Sequence, residues 1–446
     1  MKIRDKISSR QRRDSAFDSS LKEQCRPTIS AASFVAFALL AATLIPATAW
    51  ARFSPIIETI GYAIVVFVTF LMLLYCISRI RYGELVHSLR ASSIFLFYLL
   101  ASFFVIVFAH NGSGIGLMAA YAILGISFAI IFPLYFLQDD ERLEKWATML
   151  VVITFIVLLT AVLGVAGLNN LGPIPLFVKS GYTNLAGVRS SAGIFEQLTT
   201  FGLLIIFAIF SSLYLAKRRR NVLYLVIAGV FVLMLVALQS RAAILAFGVS
   251  MGTLLTFRRF TRRYAFSLPV FAGLLAITPF LLVTVIAAAS PFLNQYLRLS
   301  VGLSGRDTGW LLAVSLISEK PLFGHGLGSS SEQTSQYAKM LSEGHFYAAG
   351  ASFHNTFLTK AVDMGLIVAS LYVLVYVVPL VMLIKSSMPI AMKRYLVGCL
   401  VAIPIVAFFV DINVGGARLT VFASAFYLGI GVVSCVYYPP TKYRIS

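Results

Sequence analysis

Six arginines and three histidines stand out in a chain with few ionisable groups. Arg189, Arg241, Arg306 and Arg418 each lie beside or close to Gly or Ser residues, which let backbone approach a ligand; Arg52 and Arg298 complete the set. A guanidinium grips an anion with a planar two-pronged fork and keeps its charge at any physiological pH, so a cluster of them suits a diphosphate. Each arginine could equally reach along its alkyl stem to lipid headgroups. His325, His345 and His354 share one polar stretch, and His354-Asn355 opens a long apolar run. An imidazole at the mouth of a helix titrates near neutrality and can accept a proton from a hydroxyl, or it merely caps the helix. Lys360 and Asp363, three residues apart on one helical face, are expected to form an internal ion pair.

Other combinations point to less. The histidines are 20 and 9 residues apart, which matches no helical metal-ligand spacing with Glu332 or Glu343, so no metal site is expected. Cys25, Cys76, Cys399 and Cys435 form no C-x-x-C pair and support neither a disulfide framework nor a thiolate site. Asp139-Asp140-Glu141 resembles a carboxylate trap, but Arg142 and Lys145 beside it make it a solvated, charged turn. Residues 306–319 read as a short helix with Trp310, Ala313, Val314 and Ile317 on one stripe, suited to the membrane interface with Trp310 as its anchor. The GHGLG run that follows lacks a preceding strand and a following Gly-Lys-Ser/Thr. It predicts a tight turn that brings His325 or a backbone donor near the bilayer.

The elements that must hold these groups are set by composition. With 59% hydrophobic and 12% charged residues and a mean hydropathy of +0.90, the chain cannot cover itself with a soluble surface, which takes roughly 25% charge. Runs of about 20 apolar residues, enough to cross ~30 Å of hydrocarbon, occur near 30–50, 54–78, 91–109, 113–137, 146–167, 194–215, 221–239, 242–257, 267–289, 355–384, 394–411 and 417–438. Their continuity favours helices over a barrel. Of 36 Lys and Arg, 26 fall in the two tails and one alternating set of loops, nine fall in the other set, and Lys360 lies inside the tenth run. The positive-inside rule then puts both termini in the cytoplasm, and the net charge of +19 records topology, with no nucleic-acid partner implied. Ala47-Thr48-Ala49 resembles a cleavage site, although the basic leader is long for a signal peptide. Two long outer connections, near 168–193 and 290–354, stand apart from otherwise short ones, and the second holds three of the five histidines.

Four segments resemble the O-antigen ligase and O-antigen polymerase superfamily of bacterial inner-membrane glycosyltransferases. SGRDTGWLLAVSLISEKPLFGHGLG at 304–328 is similar to the family's Gly-Arg-x-x-x-Trp helix and its Pro-Leu-x-Gly-x-Gly-x-Gly turn. FHNTFLTKAVDMGLIVASL at 353–371 is similar to its His-Asn helix ending in Gly-Leu. LQSRAAILAF at 238–247 and VRSSAGIFEQLTTFG at 188–202 resemble two earlier segments more loosely; a Pro-Asn that often follows Phe in the latter is replaced by Glu196-Gln197.

The resemblance implies transfer of a glycan from an undecaprenyl diphosphate-linked donor at the periplasmic face, without cofactor or essential metal. It implies His354 and Arg306 as catalytic residues and Arg189, Arg241, His325 and Asn355 as binding residues for diphosphate or glycan. His354 would act as general base in an inverting transfer. The expected fold is an all-α polytopic bundle of about 12 spans with a large periplasmic loop between spans 9 and 10. Its parts are a basic tail (1–29), spans 1–9 (30–289), the catalytic loop (290–354), spans 10–12 (355–438) and a cytoplasmic tail (439–446). The leading expectation is a polymerase of lipid-linked repeat units in the inner membrane, for exopolysaccharide, capsule or O-antigen, with chain-length regulators as further partners. The alternatives are a ligase that transfers the glycan to lipid A-core or another surface acceptor, and a transporter or flippase.

Overall fold

The computed structural model describes residues 31–45, 55–110, 114–165, 170–171, 174–175, 198–238, 240–256, 306–340, 353–410 and 418–439. The described chain is almost wholly helical, as apolar runs without a water partner for their backbone must be. In order come α1 (Ala31–Leu44), α2 (Pro55–Ile77), α3 (Tyr82–Ala91), α4 (Ser93–Phe104), α5 (Ile115–Ile126), α6 (Phe132–Leu137) and α7 (Asp140–Val165). Then follow α8 (Leu198–Arg219), α9 (Leu223–Ala237), α10 (Arg241–Thr256), α11 (Arg306–Glu319), α12 (Ser329–Met340), α13 (Thr356–Lys385), α14 (Ile390–Ala407) and α15 (Leu419–Tyr437). Short π-helical segments extend α4 over Val105–Ala109 and join α5 to α6 over Ser127–Ile131. A two-stranded antiparallel pair, β1 (Asn170–Leu171) and β2 (Ile174–Pro175), was not anticipated.

Among the described residues seven helices are long and apolar enough to cross a membrane, and eight spans result if α3 and α4, bent by 67°, form one. This is a multi-pass membrane protein. The expected runs at 30–50, 221–239 and 242–257 appear as the shorter helices α1, α9 and α10, and the run at 267–289 lies outside the described residues. The lipid-facing side of α2 bears exposed Phe67, Phe70 and Leu74. At the other extreme α15 is buried along nearly its whole length. Glycine makes that possible: a Cβ at Gly429 would stand 2.1 Å from the Ala129 carbonyl oxygen, and one at Gly431 would stand 2.7 Å from that of Pro379. Small residues that bring backbones together are how helices associate where lipid removes the hydrophobic drive. Trp146 stacks on Phe426 with ring centroids 3.8 Å apart, and Phe136 and Phe422 pack around the pair.

The bundle has two chemically distinct ends. At one, where the basic loops lie, Asp140 accepts from Tyr438 at 2.9 Å and pairs with Arg218, while Glu144 pairs with Arg218 and Arg219. In the Asp139-Asp140-Glu141 turn, expected as a solvated face, Asp139 and Glu141 are exposed, while Asp140 ties α7 to α8 and to the end of α15. Glu84 of α3 joins the same layer by accepting from Gln138 and Tyr437. The opposite end holds the starts of α8, α10, α13 and α15, with Ser240 donating to Thr199 and Thr356 donating to the Val410 carbonyl at 2.7 Å.

Replacing Gly429 with Leu should force α15 away from the α5–α6 segment. Overpacking of this kind costs about 1–3 kcal/mol or more, so a lower thermal midpoint of the detergent-solubilised protein is expected; an unchanged midpoint would show that the contact does not limit packing.

Candidate active site

The centre of the candidate site is a helix that breaks. Within α13, Gly365 has φ +83° and ψ 171°, values no helix contains. The break frees the carbonyls of Val362 and Asp363, and the turn between α11 and α12 takes both: His325 N donates to Val362 O at 2.8 Å and Gly326 N to Asp363 O at 2.9 Å. In return Leu366 N donates to Pro321 O at 2.8 Å. Buried backbone groups are paired in native structures, and here two segments satisfy one another. Glycine is required on both sides. A Cβ on Gly365 would stand 2.1 Å from Leu322 O, and one on Gly324 (φ +66°) would stand 2.6 Å from the backbone of Asp363 and Met364.

The break also divides α13 by length. The stretch from Leu366 to Lys385 rises about 30 Å at 1.5 Å per residue and is enough for a bilayer core. Residues 356–364 form a separate head that carries Lys360 and Asp363. Both are buried, at 2% and 3% exposure, but the expected ion pair is not among those found in the described residues. Asp363 instead accepts from Ser330 N at 2.8 Å and Ser329 Oγ at 3.2 Å, a carboxylate at the positive N-terminus of α12. The Lys360 ammonium lies 5.8 Å from the ring centre of Tyr372. Tyr372 in turn packs with Tyr98 and Tyr376.

Helix α11 runs beside this head in the same direction. Near its start the Trp310 indole donates to Phe353 O at 3.0 Å and meets Phe408 edge-on. Along its length Ala313 and Leu316 bury against Phe353 and Val362. At its end the His325 ring reaches back to Leu316 O at 2.8 Å. The indole of Trp310, expected as an interface anchor, is engaged by this buried carbonyl, while Leu311 and Val314 of α11 are exposed.

This registry brings Arg306 and His354 to the same end. Arg306 begins α11 one turn, about 6 Å of rise, before Trp310, and Trp310 holds Phe353, the residue before His354. His354 is half-buried with φ +49°, a left-handed conformation that a non-glycine residue adopts only under constraint. It does not cap the helix. That role belongs to Asn355, whose Oδ1 accepts from Phe357 N at 3.0 Å and Leu358 N at 3.1 Å, so this oxygen, expected to bind substrate, is committed to the backbone. His325 is similarly engaged through both ring and backbone. Arg241 is the first residue of α10, and Arg418 caps the start of α15. Helices α10 and α11 thus begin on Arg, α15 follows Arg418 at its N-cap and α13 starts two residues after His354, so four helix N-termini at this end contribute the positive poles of their dipoles. Among the described residues no three His, Cys, Asp or Glu side chains gather as metal ligands. Arg189 and His345 lie outside the described residues.

The family model described as O-antigen ligase matches residues 226–373. That match places this segment in the O-antigen ligase and polymerase superfamily. The O-antigen ligase match runs from α9 to the middle of α13 and so contains Arg241, Arg306, His354 and both halves of the interlocked break. Arg189 and Arg418 fall outside it. No curated protein matches the chain.

Sequence reasoning missed two participants. The helix break was signalled only by Gly365 within an apolar run, and His110, whose Nε2 lies 3.0 Å from Phe323 O, stood in a Gly-rich corner more than two hundred residues away. Replacing Gly365 with Ala should destabilise the protein by about 2 kcal/mol or more, because strain at positive φ adds to a backbone clash. Thermal unfolding of the purified variant checks this, and a wild-type midpoint would mean that the break closes without cost.

Proposed function

We propose that the protein is a glycan polymerase that joins oligosaccharide repeat units carried on undecaprenyl diphosphate at the periplasmic face of the bacterial inner membrane, during exopolysaccharide, capsule or O-antigen synthesis. The observation that supports this most directly is the shared registry of α11 and the α13 head, by which α11 starts on Arg306 and the α13 head follows His354 at the end opposite the basic loops. With both termini in the cytoplasm, that end faces the periplasm.

In this reading the donor diphosphate rests against Arg306 and Arg241, each the first residue of a helix, with Arg189 as a further binding residue. His354 removes the proton from an acceptor hydroxyl. The resulting oxygen attacks the anomeric carbon from the face opposite the leaving group, the bond from that carbon to the diphosphate oxygen breaks, and configuration inverts. Charge accumulates on the departing diphosphate, where fixed guanidinium groups stabilise it; a single preorganised donor of this kind is worth about 3 kcal/mol. The reaction is independent of a bound metal. His325 and Asn355 hold the turn and the helix mouth, and their remaining polar atoms border the glycan. Proteins that set chain length are expected partners.

A ligase that hands the finished chain to lipid A-core uses the same chemistry, and the size of the glycan separates the two. In a strain lacking the protein, a polymerase leaves single repeat units, whereas a ligase leaves long chains on the carrier. Unchanged glycans would revive a transport role. Complementation with His354→Ala should restore nothing, with turnover of the purified protein down at least about 100-fold as expected for loss of a general base; full activity would remove His354 from the reaction. Arg306→Lys keeps the charge but loses the planar fork, so turnover should drop about tenfold or more, and wild-type turnover would show that no diphosphate is gripped there. Activity should also survive EDTA, and restoration of an EDTA-inactivated enzyme by zinc would overturn the metal-independent mechanism.

A further inference from the structure

The turn at 321–328 is held from two sides. One side is the broken helix α13. The other is the connection from α4 to α5, which belongs to a distant part of the chain. There His110 brings Nε2 to 3.0 Å from the Phe323 carbonyl. A carbonyl only accepts, so Nε2 carries the proton and donates. The same ring lies over Gly326, where an added Cβ would be 3.5 Å from Nδ1, and Gly114 (φ +84°) abuts Leu327. Phe323 and Leu327 flank His325 and Gly326, the two residues whose backbone N–H groups fill the break in α13. The clamp and the filling therefore act on one five-residue segment.

We infer that His110 is a positioning residue for glycan transfer: by donating to Phe323 it holds the turn in the break at Gly365 and so sets the angle of the head that carries His354. It touches no reacting atom. Its effect passes through the turn to α13, which predicts a loss in kcat with little change in KM for a donor held by arginines. This part of the inference rests on the proposed transfer reaction; the effect on the turn does not.

The test compares His110→Leu, which fills the space without a donor, with His110→Gln, whose amide nitrogen can occupy the place of Nε2. In the full-length protein in detergent, amide hydrogen exchange over residues 321–328 should speed up in the Leu variant and remain near wild type in the Gln variant. With a synthetic undecaprenyl diphosphate-linked oligosaccharide as donor and acceptor, kcat of the Leu variant should fall about fivefold, the scale of one hydrogen bond, at unchanged KM. The Gln variant should recover most of it. Wild-type exchange in the Leu variant, or equal losses in both variants, would overturn the role of the Nε2 donor. Faster exchange without any change in kcat would overturn the link to transfer. A wild-type protein that does not transfer this substrate would count against the proposed function, while the exchange result would still decide whether His110 holds the turn.

Discussion

Three backbone hydrogen bonds between the 321–326 turn and the broken helix α13 govern the arrangement of the end of the molecule opposite the basic loops. A helix interrupted inside a protein leaves carbonyls and an N–H without intrahelical partners, and no water is on hand to take their place. The chain resolves this by folding a second segment of itself into the gap. Once Gly324 and Gly365 let the two backbones meet, the rest is constrained: α11 must lie beside the α13 head, Trp310 must reach Phe353, and the starts of the two helices must coincide. The registry that starts α11 and the α13 head at one end follows from a contact some 15 Å farther along α13, by the rise of a helix.

Discontinuous helices are usually associated with transporters, in which the exposed backbone coordinates an ion or substrate. Here the freed carbonyls of Val362 and Asp363 are taken by His325 and Gly326. The break is thus a joint between two segments of one chain. The Asp363 carboxylate, bonded to Ser329 and Ser330, fixes the following helix to the same joint. A buried acid that a linear reading pairs with the nearest cation is satisfied by a helix terminus more than thirty residues away.

Hydropathy made the helical class legible because each apolar run had to satisfy its own backbone, and the bias of Lys and Arg separated the two ends of the bundle. The same bias supplied the candidate site residues, since an arginine on the side poor in basic residues calls for its own reason. Tertiary detail was not. The engagement of Trp310 depends on a carbonyl supplied by Phe353, the capping role of Asn355 on local dihedral angles, and the partnership of His110 with Phe323 on a contact across the whole fold. Periodicity carries no information about any of these. The short strands at 170–175 fell in a loop whose four paired residues are too few to leave a pattern.

The end opposite the basic loops is assembled from distant parts of the chain: His110 precedes α5, while Val410 and Arg418 precede the final span. Thr356 anchors the head of α13 to Val410, a residue that leaves the ribosome fifty-four positions later. A nascent chain paused after α13 therefore holds Arg306 and His354 but lacks the carbonyl that seats the helix carrying His354. Completion of the bundle and completion of this end coincide in time, so a partly synthesised chain in the membrane cannot present the finished arrangement.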